Sequence, residues 1–279
     1  MEKPQINSDR YLLQVEDLSK SFRDHNAFWH SGSFAAVCDI SFSLEKGTTL
    51  AIVGANGSGK STLAKMISGV TKPTKGRILF KGRELKFGDY QSRCRHIRMV
   101  FQDPDNSLIP HLNIGQVLDT PLRLSTPWDE EQRNQKIYQT LRLVGISPDH
   151  ANIPIYTLSQ SQKQRVALAR AVILEPEILV LDNALSSMDA SVKTQLINLL
   201  LNLQKQLGIS YIYLGQHVGI IKHISDNILV MKAGHMVEYG NTREVLSNPA
   251  DDFTRRLIES HFGHALDASA WEPDSAIFE

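Results

Sequence analysis

No stretch of this 279-residue chain approaches the roughly 18–20 apolar residues that a membrane-spanning helix requires. Its most apolar region begins near Ile209 and is interrupted by Gln216, His217, Lys222 and His223, so any membrane role has to come through a partner. Cysteine is scarce as well. Cys38 and Cys94 lack the spacing of a disulfide framework or a metal site, which suits a reducing cytosol. Net charge is absent, with 30 Lys and Arg against 30 Asp and Glu, and a general affinity for nucleic acid or acidic lipid is not indicated. The first ten residues lack the apolar stretch of a signal peptide. Neither internal repeats nor low-complexity tracts are found. What remains is a chain 42% hydrophobic, long enough for one large α/β domain or a domain carrying a sizeable subdomain.

The octet Gly54-Ala55-Asn56-Gly57-Ser58-Gly59-Lys60-Ser61 matches G-x-x-x-x-G-K-S/T, the phosphate-binding loop of nucleoside triphosphatases. An apolar run, Thr49 to Val53, precedes it as a buried strand, and Ser61-Thr62-Leu63-Ala64 opens a helix. A strand, a tight glycine turn and a helix N-terminus together aim backbone N–H groups at one point, where a phosphate chain can sit. Lys60 is expected to reach the β- and γ-phosphates, and the Ser61 hydroxyl to hold Mg²⁺. A glycine-rich turn that binds nothing need not carry the whole pattern in this setting.

Strands are expected at Leu12–Val15, at Ala36–Val37 with Ile40–Leu44, and at Ile78–Phe80. His25 to Phe34 reads as a loop-like insertion. From Asn113 to about Pro154 the pattern is helical, with Ile137, Leu141 and Val144 on one face of a helix that stops at Gly145. Helix Ser161–Leu174, strand Ile178–Leu181, helix Ala190–Leu207, strand Ser210–Leu214 and strand Asn227–Met231 follow. This alternation implies a mostly parallel sheet flanked by helices, with a helical subdomain spliced in at mid-chain.

A phosphate loop needs an acid for Mg²⁺ at the end of a neighbouring buried strand, and Ile178-Leu179-Val180-Leu181-Asp182 supplies one in Asp182. Just before it lies Leu158-Ser159-Gln160-Ser161-Gln162, followed by Lys163-Gln164-Arg165 within the helix expected at Ser161–Leu174. Here the chain resembles the ATP-binding cassette family, whose signature is Leu-Ser-Gly-Gly-Gln. Val100-Phe101-Gln102-Asp103-Pro104 resembles the family's Q-loop, and Ser186-Ser187-Met188-Asp189 its D-loop. His217 resembles the switch histidine at the γ-phosphate, and Phe22 the aromatic residue that stacks on adenine. Taken singly, Phe22 reads as a core aromatic, His217 as a structural histidine and Gln102 as a loop residue. It is their shared order along the chain that reverses this.

The resemblance implies a P-loop NTPase (RecA-like) core with an N-terminal antiparallel β subdomain and an inserted α-helical subdomain at about 103–174. The nucleotide-binding domain would span 11–264, leaving 265–279 as a flexible tail. Implied ligands are ATP and Mg²⁺, the metal held by Ser61, Gln102 and Asp182. Ile220 to Asp226, Asn248-Pro249 and Phe253 to Leu257 resemble the oligopeptide/dipeptide-uptake branch. Phe87 to Tyr90 and Ile212 to His217 are similar to its Sap-type subgroup, implicated in resistance to antimicrobial peptides. The C-terminal cysteine cluster of some members is missing, so no iron–sulfur centre is expected. Implied partners are a second ATPase subunit, two membrane permeases and a periplasmic peptide-binding protein, with no nucleic acid. The implied location is peripheral, on the cytoplasmic side of a bacterial inner membrane.

The chain departs from the family pattern in two places. Asn183 stands where the glutamate that polarises the attacking water is usual, with Ala184 in place of proline. An amide takes no proton, and a positioned general base is worth about 10²–10⁴-fold in rate, so slow hydrolysis is expected. Gln160 and Ser161 replace two glycines of a motif that, in the family, faces the γ-phosphate on the other subunit. Asn183 would weaken this chain's own site and Gln160 the partner's, which favours a heterodimer with an intact partner. The leading expectation is an energy-coupling ATPase subunit of a peptide importer. The alternative is an ATP-binding regulatory or assembly subunit with little hydrolysis of its own. A soluble cassette ATPase acting on ribosomes or DNA usually carries two cassettes or a long coiled coil, and neither is seen here.

Overall fold

The computed structural model describes residues 10–23, 33–185 and 188–262. Most of the insertion expected at His25–Phe34, together with Ser186, Ser187 and the tail at 265–279, lies outside the described residues. The long strands β1 (Tyr11–Arg23) and β2 (Ser33–Glu45) pair antiparallel. Strand β3 (Thr49–Val53) leads into α1 (Lys60–Ile67), and β4 (Lys75–Phe80) and β5 (Arg83–Glu84) complete an antiparallel sheet in the order β2-β1-β4-β5.

The first two strands run well past the expected bounds, and β2 joins two runs that read as separate. The breaks in alternation are bulges. Asp17 and Asp39 both have φ 47°, a region that short polar side chains tolerate because they bond locally. The Asp17 N–H donates to Ser41 Oγ at 2.8 Å, and the Asp39 N–H to Ser19 Oγ at 2.9 Å. Each serine hydroxyl in turn donates to the opposing carboxylate. A bulge shifts the two-residue period by one, which is why alternation stops there.

A second sheet holds β6 (Ile97–Val100), β7 (Ile178–Asp182), β8 (Ser210–Leu214), β9 (Asn227–Lys232) and β10 (His235–Asn241). Its order is β10-β9-β3-β8-β7-β6, parallel except for β10 at one edge. Its central strands β3, β7 and β8 are buried on both faces, as parallel sheets require. Leu50, Ile52, Ile178, Val180, Ile212 and Leu214 pack towards α1 and the antiparallel sheet. Their alternates Ala51, Val53, Leu179, Leu181, Tyr211 and Tyr213 pack on the other side. That second core is covered by α3 (Ile114–Ser125), α4 (Glu130–Leu143), α5 (Gln160–Val172), α6 (Ala190–Leu207) and α7 (Val218–Ile224). The fold class inferred from sequence is the one observed. Among the described residues no helix is long and apolar enough to cross a membrane.

Helix α2 (Tyr90–His96), absent from the sequence reading, supplies a long-range tie to the phosphate-loop helix. Arg93 is buried and donates to the carbonyls of Met66 and Ile67 at the end of α1, and to Leu85. Gly69 (φ 82°) leaves room for it, since a Cβ there would sit 2.4 Å from Arg93 Cδ. Replacing Arg93 by Met strands three carbonyls that now accept charge-assisted bonds. The expected loss is about 3 kcal/mol of stability, read by urea unfolding. A loss below about 1 kcal/mol would mean that water serves these carbonyls equally well.

Candidate nucleotide site

The loop between β3 and α1 is shaped by three glycines, each with positive φ: Gly54 (149°), Gly57 (77°) and Gly59 (101°). Two of them also lack room for a side chain. A Cβ on Gly54 would lie 2.1 Å from the Met231 carbonyl oxygen, and one on Gly59 2.3 Å from that of Ala36. Gly57 faces open space. The loop is therefore pressed between the backbones of β9 and β2, and the Gly234 N–H donates to the Ser58 carbonyl to hold it there. Ala55, Asn56 and Gly57 stay exposed at its crest. Lys60 lies beneath it, 5% exposed, donating to the carbonyls of Gly54 (2.8 Å) and Ala55 (2.9 Å) and to Ser58 Oγ (3.2 Å). Gly59 caps α1 without a side-chain bond, so the first N–H groups of that helix, including those of Ser61 and Thr62, remain available to an anion.

Ser61 Oγ donates to Asp182 Oδ1 at 3.0 Å. Asp182 does end a buried strand, but not one adjacent to β3, as the sequence reading had it: β8 lies between β3 and β7. The contact reaches past the end of β8. Burial pushes the Asp182 carboxyl above the ordinary carboxylate range, against the Ser61 hydroxyl and the charges of Lys65 and Lys60. Burial likewise lowers the Lys60 ammonium, opposed by Asp182. Asn183 follows in the left-handed region (φ 48°), its N–H donating to the Leu214 carbonyl at 3.0 Å.

Gln102, exposed, leaves the end of β6 and joins Lys65, Gln160 and Asp182 in lining a cleft of about 950 Å³. Asp103 closes the next turn by accepting from the Asp105 N–H. Leu158 is buried, and Ser159 caps α5 in a reciprocal box with Gln162. Gln160 and Ser161 occupy the first turn of that helix with right-handed backbone. His217 is exposed just beyond β8, and its neighbour Gln216 donates to Asn56 in the phosphate loop. Phe22 is 43% exposed near the end of β1, with the Lys20 ammonium 4.9 Å from its ring centre. Asp189 caps α6, accepting from the Val192 N–H; Ser187 lies outside the described residues. Sequence reasoning missed the Gln216–Asn56 bond and the tie of Lys163 to Asp105 at 2.7 Å, because both join segments far apart in the chain.

The ABC transporter family model matches residues 37–186. This chain belongs to that family. As a cassette ATPase it works on ATP with Mg²⁺. Over 263 residues, 94% of its length, it is 51% identical to two SapF proteins, covering 98% of each. One is the peptide transport system ATP-binding protein of Salmonella typhimurium; the other, from Escherichia coli K12, is named for putrescine export. The dipeptide transport protein DppF of Escherichia coli K12 is 35% identical, over 89% of this chain and 76% of that protein. Among solved structures, cbiO1 of Clostridium perfringens superposes with a TM-score of 0.74 at 30% identity, over 91% of this chain and 96% of its own. The cassette MJ0796, solved as a dimer with ADP and phosphate, gives 0.73 at 23% identity over 82% and 98%, a likeness of fold.

The residues of this cassette fit both ligands. Two hard oxygen donors, Ser61 Oγ and Asp182 Oδ1, meet as Mg²⁺ prefers, and the glycine crest with the α1 N-terminus forms an anion cradle. The two departures also take on a physical form. Gln160 needs no glycine for its own backbone, so its effect is confined to what approaches that helix end. Asn183 sits in a conformation that asparagine adopts more readily than glutamate.

Gly54→Ala is expected to abolish ATP binding, since its Cβ collides with backbone, whereas Gly57→Ala costs only about 1–2 kcal/mol of left-handed strain. Titration with a fluorescent ATP analogue checks this; equal loss in both variants would contradict the packing seen here. The raised Asp182 pKa predicts a second outcome. A folded pKa above the unfolded one means that the penalty for ionised Asp182 is absent below the unfolded pKa and complete above the folded one. Without nucleotide and Mg²⁺, Asp182→Asn should therefore melt higher than wild type at pH 7, the gap closing as pH falls towards 4. A lower melting temperature at pH 7 would refute it.

Proposed function

We propose that this cassette is the energy-coupling ATP-binding subunit of a Sap-like peptide importer, attached peripherally to the cytoplasmic face of the inner membrane. The observation that carries the reading is the 51% identity to SapF across 98% of that protein, with DppF behind it. A second ATPase subunit, two permeases and a periplasmic peptide-binding protein complete the assembly. The name of the Escherichia coli K12 relative, putrescine export, favours a second reading in which the cargo is a polyamine moving outward. Uptake of labelled peptide against release of labelled putrescine, in vesicles holding the assembled transporter, separates the two.

In the proposed mechanism Phe22 stacks on adenine, and the loop from Gly54 to Thr62 encloses the phosphates. Lys60 would set its ammonium against the β- and γ-phosphates, while Ser61, Asp182 and Gln102 would hold the metal. Mg²⁺, when bound, neutralises charge developing on the phosphates. His217, at the end of β8 between β3 and β7, contacts the γ-phosphate. Leu158 to Gln162, with Ser187 and Asp189, face the partner cassette. Asn183 orients water by hydrogen bonding but accepts no proton, so this site holds ATP better than it hydrolyses it. With Gln160 impairing the complementary site, a heterodimer whose other chain retains its glutamate is the arrangement with one defect per site. The alternative, a regulatory subunit that only binds ATP, rests on the same Asn183.

Asn183→Glu is expected to raise turnover at this site about 10²-fold, and removing the partner's glutamate should abolish most wild-type turnover. Asn183→Asp controls for the left-handed backbone. Full activity after loss of the partner's glutamate would sink the division of labour.

A further inference from the structure

Strand β3 is flanked by β9 and β8, and the phosphate loop that follows it is held from both sides. From the β9–β10 turn, the Gly234 N–H donates to the Ser58 carbonyl at 3.0 Å. From the β8 side, the amide of Gln216 donates to Oδ1 of Asn56, at the exposed crest. Gln216 is half-buried and is the middle residue of Gly215–His217, the short link between β8 and α7. That link has little slack. Its first N–H, of Gly215, donates to the Ile52 carbonyl at 3.3 Å. A Cβ on Gly215 would lie 2.5 Å from Cε1 of Tyr213. Its last carbonyl, of His217, accepts from the N–H groups of Ile220 at 3.1 Å and Ile221 at 3.3 Å. The Gln216 amide then ties the middle of the link to a residue 160 positions away in the chain.

The His217 backbone is thereby referenced to the phosphate loop and not to the sheet alone. An amide–amide bond is a modest force, but a hydrogen bond to a phosphate oxygen tolerates only about half an ångström of stretch. Small displacements of the link therefore decide whether an imidazole at that position reaches a third phosphate. We propose that Gln216 is a positioning residue: by holding Asn56 it sets the span from the loop to His217, and so how sharply this site distinguishes a nucleoside triphosphate from a diphosphate. The inference rests on the γ-phosphate contact given to His217 above. Loss of the bond leaves the grip of the loop N–H groups on a diphosphate and weakens only what the third phosphate gains.

Calorimetric titration of the full chain with ADP and with the slowly hydrolysed analogue AMPPNP, both with Mg²⁺, tests this through the ratio of the two Kd values. His217→Ala should lower the wild-type preference for the triphosphate. Gln216→Leu should lower it about 5-fold, with ADP affinity unchanged. Asn56→Ala, which removes the same bond from the loop side, should lower the ratio as well. Adding Gln216→Leu to it should lower the ratio no further. A preference that survives Gln216→Leu but not His217→Ala overturns the positioning role and leaves the His217 contact standing. Equal loss of ADP and triphosphate affinity overturns it too, since Gln216 would then only shape the loop. Additive losses in the double variant overturn Asn56 as the partner through which Gln216 acts. An unchanged ratio in His217→Ala refutes the γ-phosphate contact itself, and this inference with it.

Discussion

The phosphate loop is held by close backbone approach, and the rest of the site depends on that. Met231 and Ala36 place carbonyl oxygens where side chains of Gly54 and Gly59 would be. The Gly234 N–H reaches Ser58, and the Cys38 N–H reaches the Gly234 carbonyl. The antiparallel sheet, the β9–β10 turn and the loop are thereby one backbone-bonded unit. Because β2 is a clamp on the loop as well as an edge of its own sheet, Phe22, paired with Phe34 of that strand, is tied to the loop through the same backbone.

A second set of ties joins the two halves of the molecule. Lys163 pairs with Asp105, and Arg170 bonds Ser107, so the segment after Gln102 is linked twice to the helix that starts at Gln160. Arg93 links the far end of α1 to α2 in a comparable way. Each tie is a charged group with limited exposure meeting a carboxylate or carbonyl, a bond worth more in a shielded setting than at the surface. The segment that follows Gln102 is therefore tied to α5 by two side chains of that helix.

Much of this was legible in the chain. The strands at Thr49 and Ser210 and the helix at Ala190 fall where apolar pattern and caps place them. Local signals sufficed because each is a buried run or a capped amphipathic stretch. Pattern failed at β1 and β2, where aspartate bulges break the two-residue period. It failed again at α2, β10 and the short helices α7, α8 (Thr242–Ser247) and α9 (Asp252–Phe262), whose positions depend on contacts with remote segments. Asp182 ends a buried strand as expected, yet that strand was placed beside β3 instead of beyond β8, since strand order leaves no mark on a single strand's composition.

By itself the sequence determined which residue types stand where: a G-x-x-x-x-G-K-S loop after a buried strand, an aspartate at the end of another, an asparagine directly after it, and a capped helix start at Ser159. These are properties of residue type and spacing, which survive without coordinates. Only the tertiary structure decided which groups meet. It brought Ser61 to Asp182 past the end of β8, set Gln160 on the same cleft as Gln102, and placed Arg98 of β6 and Arg170 of α5 on the walls of another. Such pairings depend on strand order and helix packing between segments far apart in the chain, and no local pattern encodes them.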